Sequence, residues 1–431
     1  MAFLTGAHFV THIMLVAYVA VAVLVGEEFG YENNVQRFAP ITFTLFTYGV
    51  VAVVTGYLAD RYEPIKMLTV GLVIATIASF GVAISVNYNM LLAFFVLLGV
   101  GLGFYHPVGL SYISKVFGPK HRGKALGING IGGNLGWLLS PILTALIAAW
   151  FGWRIAFVVW GCLGLVFIGL VIFIFGSGVL RSANGTEERT GPRKNQKAVV
   201  DLEVLEAESE ETTARTSAED YSSNLRSLLT FLVLIVILIT VFRGFYFHGL
   251  TDTLPTFLQE ERGDDLPSDD PAVRLIIAGG FLSMLYMMGI IAEPLGGWIK
   301  DKYEARRPIF FASLANAGSI VLIISATESW MMVLGVTSFG FCFLLLMSVV
   351  NATIADVAPP QVRGTFFGIT FLTRDGIGAF APLFVGYVAD TTGSFTGAYW
   401  VLAVGAVITA LVALGLKKSN VEMVEAASSG R

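Results

Sequence analysis

The chain has 431 residues, of which 55% are hydrophobic and 13% charged, with a formal net charge of −4 and a mean hydropathy of +0.74. That balance is too apolar for a water-soluble fold and places the chain among polytopic membrane proteins. A net negative charge argues against a nucleic-acid partner, and the only two cysteines, Cys162 and Cys342, both fall inside apolar stretches, which implies neither a disulfide framework nor a metal site.

A hydrocarbon core about 30 Å thick takes roughly 20 apolar residues per helix. Twelve stretches meet that length, at 4–25, 38–58, 67–86, 90–113, 125–149, 154–176, 228–258, 273–298, 309–326, 330–354, 365–388 and 396–416. Span 1 carries His8 and His12 and lacks a basic leader and a small-residue cleavage site, so it is expected to stay as a helix. In span 4, His106 lies nine residues before Lys115, about 13 Å from that end at 1.5 Å per residue and so close to mid-membrane. Span 5 holds Gly127, Asn134, Gly136, Ser140 and Pro141. Its small residues permit close packing, and Pro141 frees a backbone carbonyl, so a bend is expected there.

Residues 179–226 differ from all of this. They carry basic residues near 189–194 and an acidic run through Glu203, Glu206, Glu208, Glu210 and Glu211. Such a composition buries too little apolar surface to offset chain entropy, which predicts a disordered linker. Beyond it, span 7 contains Arg243 followed by Tyr246, His248 and Asp252, span 8 contains Glu293 eight residues before Asp301, and span 11 contains Arg374, Asp375 and Pro382. The expected organisation is an N-terminal six-helix bundle over 1–178, the linker over 179–226, a C-terminal six-helix bundle over 227–417 and a tail over 418–431.

Charge placement predicts orientation. Of the 27 lysines and arginines, 21 fall in the linker, the tail and the loops after spans 2, 4, 8 and 10. By the positive-inside rule those regions and both termini are cytoplasmic, which fits a plasma-membrane protein.

The halves also repeat. Gly56, Asp60, Arg61, Arg122, Gly127 and Pro141 recur, with 241 added to each number, as Gly297, Asp301, Lys302, Arg363, Gly368 and Pro382. Parallel repeats of this size in so apolar a chain mark secondary transporters, whose two bundles rock around a central site. Gly56-x-x-x-Asp60-Arg61 after span 2, its echo Gly297-x-x-x-Asp301-Lys302 after span 8, and the Arg-Gly pairs opening spans 5 and 11 resemble the major facilitator superfamily across nearly the whole chain. The first copy departs from the family pattern at Glu63, Pro64 and Ile65. Span 4 has Phe95 where an arginine is often found, which leaves no basis for a proton relay through that arginine. The Phe104-Tyr105-His106-Pro107 run is similar to fosmidomycin-resistance efflux transporters within the superfamily.

The resemblance implies an all-α fold of twelve helices in two pseudo-symmetric bundles working by alternating access. It also implies a cytoplasmic latch built from Gly56, Asp60, Arg61 and Arg122 with Gly297, Asp301, Lys302 and Arg363. Charged residues deep in a bilayer are costly and usually face a bundle interior. The candidates for substrate binding or ion coupling are therefore His12, His106, Asn134, Arg243, Glu293, Arg374 and Asp375, with Ser140, Pro141 and Pro382 as bend positions. Adjacent helical residues point about 100° apart, so Arg374 and Asp375 need not pair with each other. No Gly-x-x-x-x-Gly-Lys-Ser/Thr loop is present for ATP coupling. No enzyme chemistry, cofactor or metal is expected. The partners are a small molecule, a proton or other coupling ion, and lipid around a monomer. The leading expectation is proton-coupled efflux of a small amphipathic or anionic compound; the alternatives are ion-coupled uptake of an organic anion or nutrient, and a transporter-like sensor or scaffold.

Overall fold

The computed structural model describes residues 1–59, 61–117, 119–173, 231–357 and 363–416. The expected linker, the tail and Asp60 lie outside the described residues, and for Arg122 and Arg363 only the helical backbone is described. All regular structure among the described residues is helical. Among the described residues, eleven helices are long and apolar enough to cross a membrane, and a twelfth, span 11, is broken near its middle. Large apolar side chains such as Val70, Ile77, Val166, Val404 and Leu411 are exposed on the outside of the bundle, as expected for a chain whose solvent there is lipid.

Spans 1 to 3 are continuous helices over Ala2–Phe29, Asn34–Leu58 and Pro64–Ala83. Span 4 is split into Tyr88–Leu102 and Tyr105–Val116, span 5 runs over Pro119–Phe151 and span 6 over Trp153–Val171. In the second half, span 7 is split into Phe231–Thr251 and Leu254–Glu260, and span 8 into Pro271–Met287 and Gly289–Lys302. Spans 9, 10 and 12 are continuous over Arg306–Ser325, Ser329–Val357 and Thr396–Ala413.

Span 11 differs most from the uniform helix that its sequence suggests. It is α-helical over Arg363–Phe371, widens to a π-turn over Leu372–Ile377, tightens to a 3-10 turn over Gly378–Phe380 and resumes over Ala381–Thr392. Pro382 sits in the first turn of the resumed helix, where its missing N–H costs nothing. The glycines just before it allow contacts that a side chain would block. A Cβ on Gly49 of span 2 would lie 3.0 Å from the Gly376 backbone, and one on Gly244 of span 7 would lie 2.2 Å from the Arg374 carbonyl oxygen. Two neighbouring helices therefore press on the irregular turn and hold it.

Pro141 lies inside an unbroken helix. Near it the backbone reaches outward: Ile142 N–H donates to Ser283 Oγ of span 8 at 3.2 Å, and Ser140 Oγ donates to the Ile13 carbonyl of span 1 at 2.6 Å. Ser140 and Ile142, on either side of Pro141, thus tie span 5 to both halves.

On the face remote from the N-terminus the two halves are latched. The Asp390 carboxylate, from the end of span 11, accepts from Asn34 N–H at 2.8 Å, Asn34 Nδ2 at 2.9 Å and Val35 N–H at 3.2 Å. The two backbone N–H groups are orphan donors at the start of span 2, where the helix dipole also favours a negative charge. Beside them Arg37 pairs with Glu260 of span 7 at 2.7 Å, and Thr42 Oγ1 donates to the Ala379 carbonyl at 2.8 Å.

A polar cavity between the two halves

A central cavity lies within the bundle, lined by residues from both halves. Its wall is mostly apolar and aromatic, with two polar clusters.

The first cluster belongs to spans 1, 4 and 5. His8 and His12 are one helical turn apart and so share a face. The span 5 glycines let them lie against its backbone: a Cβ on Gly133 would be 2.6 Å from His8 Nε2, and one on Gly136 would be 2.8 Å from His12 Cβ. His8 Nδ1–H donates to the Asn129 carbonyl at 2.8 Å. Tyr105 stacks on the His8 ring with centroids 4.7 Å apart and donates its hydroxyl to Leu4 O and Asn129 Oδ1. His12 Nε2 and His106 Nε2 lie 3.1 Å apart, so one of them carries a shared proton. His106 also stacks on Phe371 of span 11, and His12 meets the edge of Trp137.

The second cluster belongs to spans 7 and 11. Arg374 and Asp375, which ideal helix geometry does not require to pair, do pair with each other. Arg374 Nε donates to Asp375 Oδ1 and Nη2 to Oδ2, both at 2.7 Å. The pair lies within the π-turn, where backbone spacing departs from 100° per residue. Asp375 Oδ1 is also 3.3 Å from His248 Nε2, and His248 Nδ1 is 2.9 Å from Asp252 Oδ2. Carboxylate oxygens only accept, so satisfying both contacts takes a proton on each ring nitrogen of His248. Thr251 Oγ1 completes the chain by donating to Asp252 Oδ1 at 3.2 Å. All four charged members are buried.

Glu293 and Asn134 join the halves. Asn134 Nδ2 of span 5 donates to Glu293 Oε2 of span 8 at 3.1 Å, and both line the cavity.

Of the residues singled out from the sequence, His12, His106, Asn134, Glu293, Arg374 and Asp375 line this one cavity. Arg243 does not. It is fully buried with its guanidinium 4.5 Å over the Phe343 ring, which itself lines the wall, and its Nε and Nη2 have no hydrogen-bond partner among the described residues. Among the described latch candidates, none lines the cavity. Asp301 and Lys302 are exposed, Lys302 Nζ sits 4.0 Å over the Trp298 ring of its own helix, and Arg61 lies 4.3 Å over Tyr57. Gly56 approaches Pro107 of span 4, its Cβ position being 3.5 Å away, whereas Gly297 faces open space. His8, His248 and Asp252 were not singled out for the site. The signal was the four-residue spacing of His8 with His12 and of His248 with Asp252, each placing two polar groups on one face of an apolar helix.

Two helical halves, an irregular helix at their junction and a shared polar cavity define a membrane transporter. The Major Facilitator Superfamily model matches residues 4–382, and the chain belongs to that family. It is 24% identical over 400 residues to a probable sulfoacetate transporter of Cupriavidus necator, covering 90% of this chain and 86% of that protein. It is likewise 24% identical over 388 residues to a hexuronate transporter of Bacillus subtilis, covering 85% and 82%. Its fold matches a crystal structure of a bacterial homologue of the human lysosomal transporter Spinster, inward-facing and unoccupied, with a TM-score of 0.69 at 16% identity over 99% of this chain and 96% of that one. The chain is a transporter and not an enzyme.

Proposed function

We propose that this protein moves a small organic anion together with a proton, in the same direction, through alternating access at the plasma membrane, with its termini in the cytoplasm. The observation that carries the reading is the Arg374 fork held against Asp375 on the cavity wall. Arginine's planar fork matches a carboxylate or sulfonate as well as it matches Asp375. Arg374 and a doubly protonated His248 balance Asp375 and Asp252, and the buried Arg243 offsets Glu293, so the site is neutral before substrate arrives. An added anion leaves it one negative charge in excess within a low-dielectric cavity, at a cost of several kcal/mol. A proton taken up by the displaced Asp375, or by Glu293, restores neutrality. Substrate and proton then bind together, which is the condition for symport. The sulfoacetate and hexuronate named for the two relatives are anions of this kind.

Export by exchange with protons is the second reading. It rests on the Tyr105-His106-Pro107 run and on the small residues and proline of span 5, and it requires proton and substrate to compete for the cavity. Proteoliposomes loaded at one pH and diluted into another separate the two. Symport gives accumulation of labelled hexuronate or sulfoacetate with acid on the substrate side. Accumulation driven only by acid on the opposite side would establish exchange, and none of either anion under any gradient would overturn the anion assignment.

A further inference from the structure

The three histidines of spans 1 and 4 are not used by that mechanism. One ring nitrogen from each of His8, His12 and His106 can be chosen so that all three lie within 4.8 Å of one another. The Nε2 atoms of His12 and His106 are already 3.1 Å apart. A tetrahedral ion with metal–nitrogen bonds of about 2.0–2.1 Å needs ligand nitrogens roughly 3.3–3.4 Å apart, so that pair is nearly in place.

The outer shell is also built. His8 donates its Nδ1–H to the Asn129 carbonyl, which fixes the tautomer and leaves Nε2 as a bare lone pair. Ligating histidines are oriented in this manner, by a backbone carbonyl on the far nitrogen. His8 Nε2 has no hydrogen-bond partner among the described residues, and neither has His12 Nδ1, although both are buried. An unsatisfied buried polar atom is destabilising, and a ligated cation would use the His8 lone pair. Stacking on Tyr105 and the absence of a side chain at Gly133 hold the His8 ring in this pose.

We propose that His8, His12 and His106 form a three-imidazole site for one divalent d-block cation of the zinc or cobalt type, with the fourth position open to the central cavity. Neutral imidazoles without a carboxylate select such ions over magnesium or calcium, which prefer oxygen. The site lies wholly within spans 1 and 4 and is independent of the anion assignment, because it is read by binding alone.

The test uses the full chain, purified with a tag free of histidine, stripped with chelator and titrated with Co²⁺. The expected result is the strong visible absorption of four-coordinate Co²⁺, saturating at one equivalent, displaced by Zn²⁺ and unaffected by excess Mg²⁺. His8→Gln, His12→Gln and His106→Gln should each weaken binding at least 10-fold. Gly133→Ala, which keeps every ligand but pushes on the His8 ring, should weaken it as well. His248→Gln should leave it unchanged. No such absorption at millimolar Co²⁺, or equal loss in His248→Gln and the three variants, would overturn the site.

Discussion

Replacing Arg374 with Gln removes both donors, each at 2.7 Å, that hold Asp375, leaving the carboxylate only its 3.3 Å contact with His248. Breaking one side of a buried pair typically costs about 3–5 kcal/mol, because a charge is left without compensation. The Arg374→Gln protein should therefore unfold at a clearly lower temperature in detergent. Asp375→Asn should also destabilise, since it strands the guanidinium. The double variant Arg374→Gln, Asp375→Asn carries no stranded charge and should recover most of the lost stability, with a coupling of at least about 2 kcal/mol in a double-mutant cycle. Transport should not follow stability. If Arg374 binds the substrate anion, then accumulation and counterflow stay abolished in the double variant although the protein is folded. Recovery of transport along with stability would reduce the pair to a structural tie and refute the assignment of Arg374 to substrate.

Four further outcomes are expected. Glu293→Gln keeps the contact with Asn134 but not the charge, so it should slow gradient-driven accumulation while sparing exchange of substrate for substrate; wild-type accumulation would remove Glu293 from coupling. Asp390→Asn weakens the cap that span 11 places on span 2, worth about 1 kcal/mol at an exposed helix terminus, and spin labels on the remote ends of these spans should report about a 5-fold rise in the separated population. An unchanged distance distribution would show that the latch is held elsewhere. Gly244→Ala sets a methyl within 2.2 Å of the Arg374 carbonyl oxygen and should destabilise by roughly 1–3 kcal/mol, read as a fall in the thermal midpoint along with transport. For the cytoplasmic latch expected from the repeat, Asp60→Asn should lower initial rates in correctly inserted protein and Asp301→Asn should do so less; wild-type rates in both and in the double variant would end that proposal.

Much of the architecture is legible in the sequence because the bilayer enforces it. Hydrophobic length gives the spans, and the 241-residue offset gives the duplication. Six of the seven residues singled out for the site line the cavity, because an ionisable group in a membrane helix is tolerated chiefly where it faces the interior. Two things were hidden. The break in span 11 arises from glycines pressed by Gly49 and Gly244, which are distant in sequence, and without that break the pairing of Arg374 with Asp375 is not suggested. Arg243 lies behind the wall for a related reason: depth in the membrane is readable from position, but the side of Phe343 on which the guanidinium lies depends on the rotation of span 7. The histidine cluster was divided between His12 and His106, 94 residues apart, a separation that spacing rules for metal sites do not cover.

The most direct measurement of the central claim is proton movement itself. A pH dye sealed inside proteoliposomes, with no imposed gradient, should report acidification when a transported anion is added outside, abolished by Arg374→Gln and collapsed by a protonophore. Anion entry without proton movement, or entry driven by sodium instead, would contradict symport through this charge-balanced network.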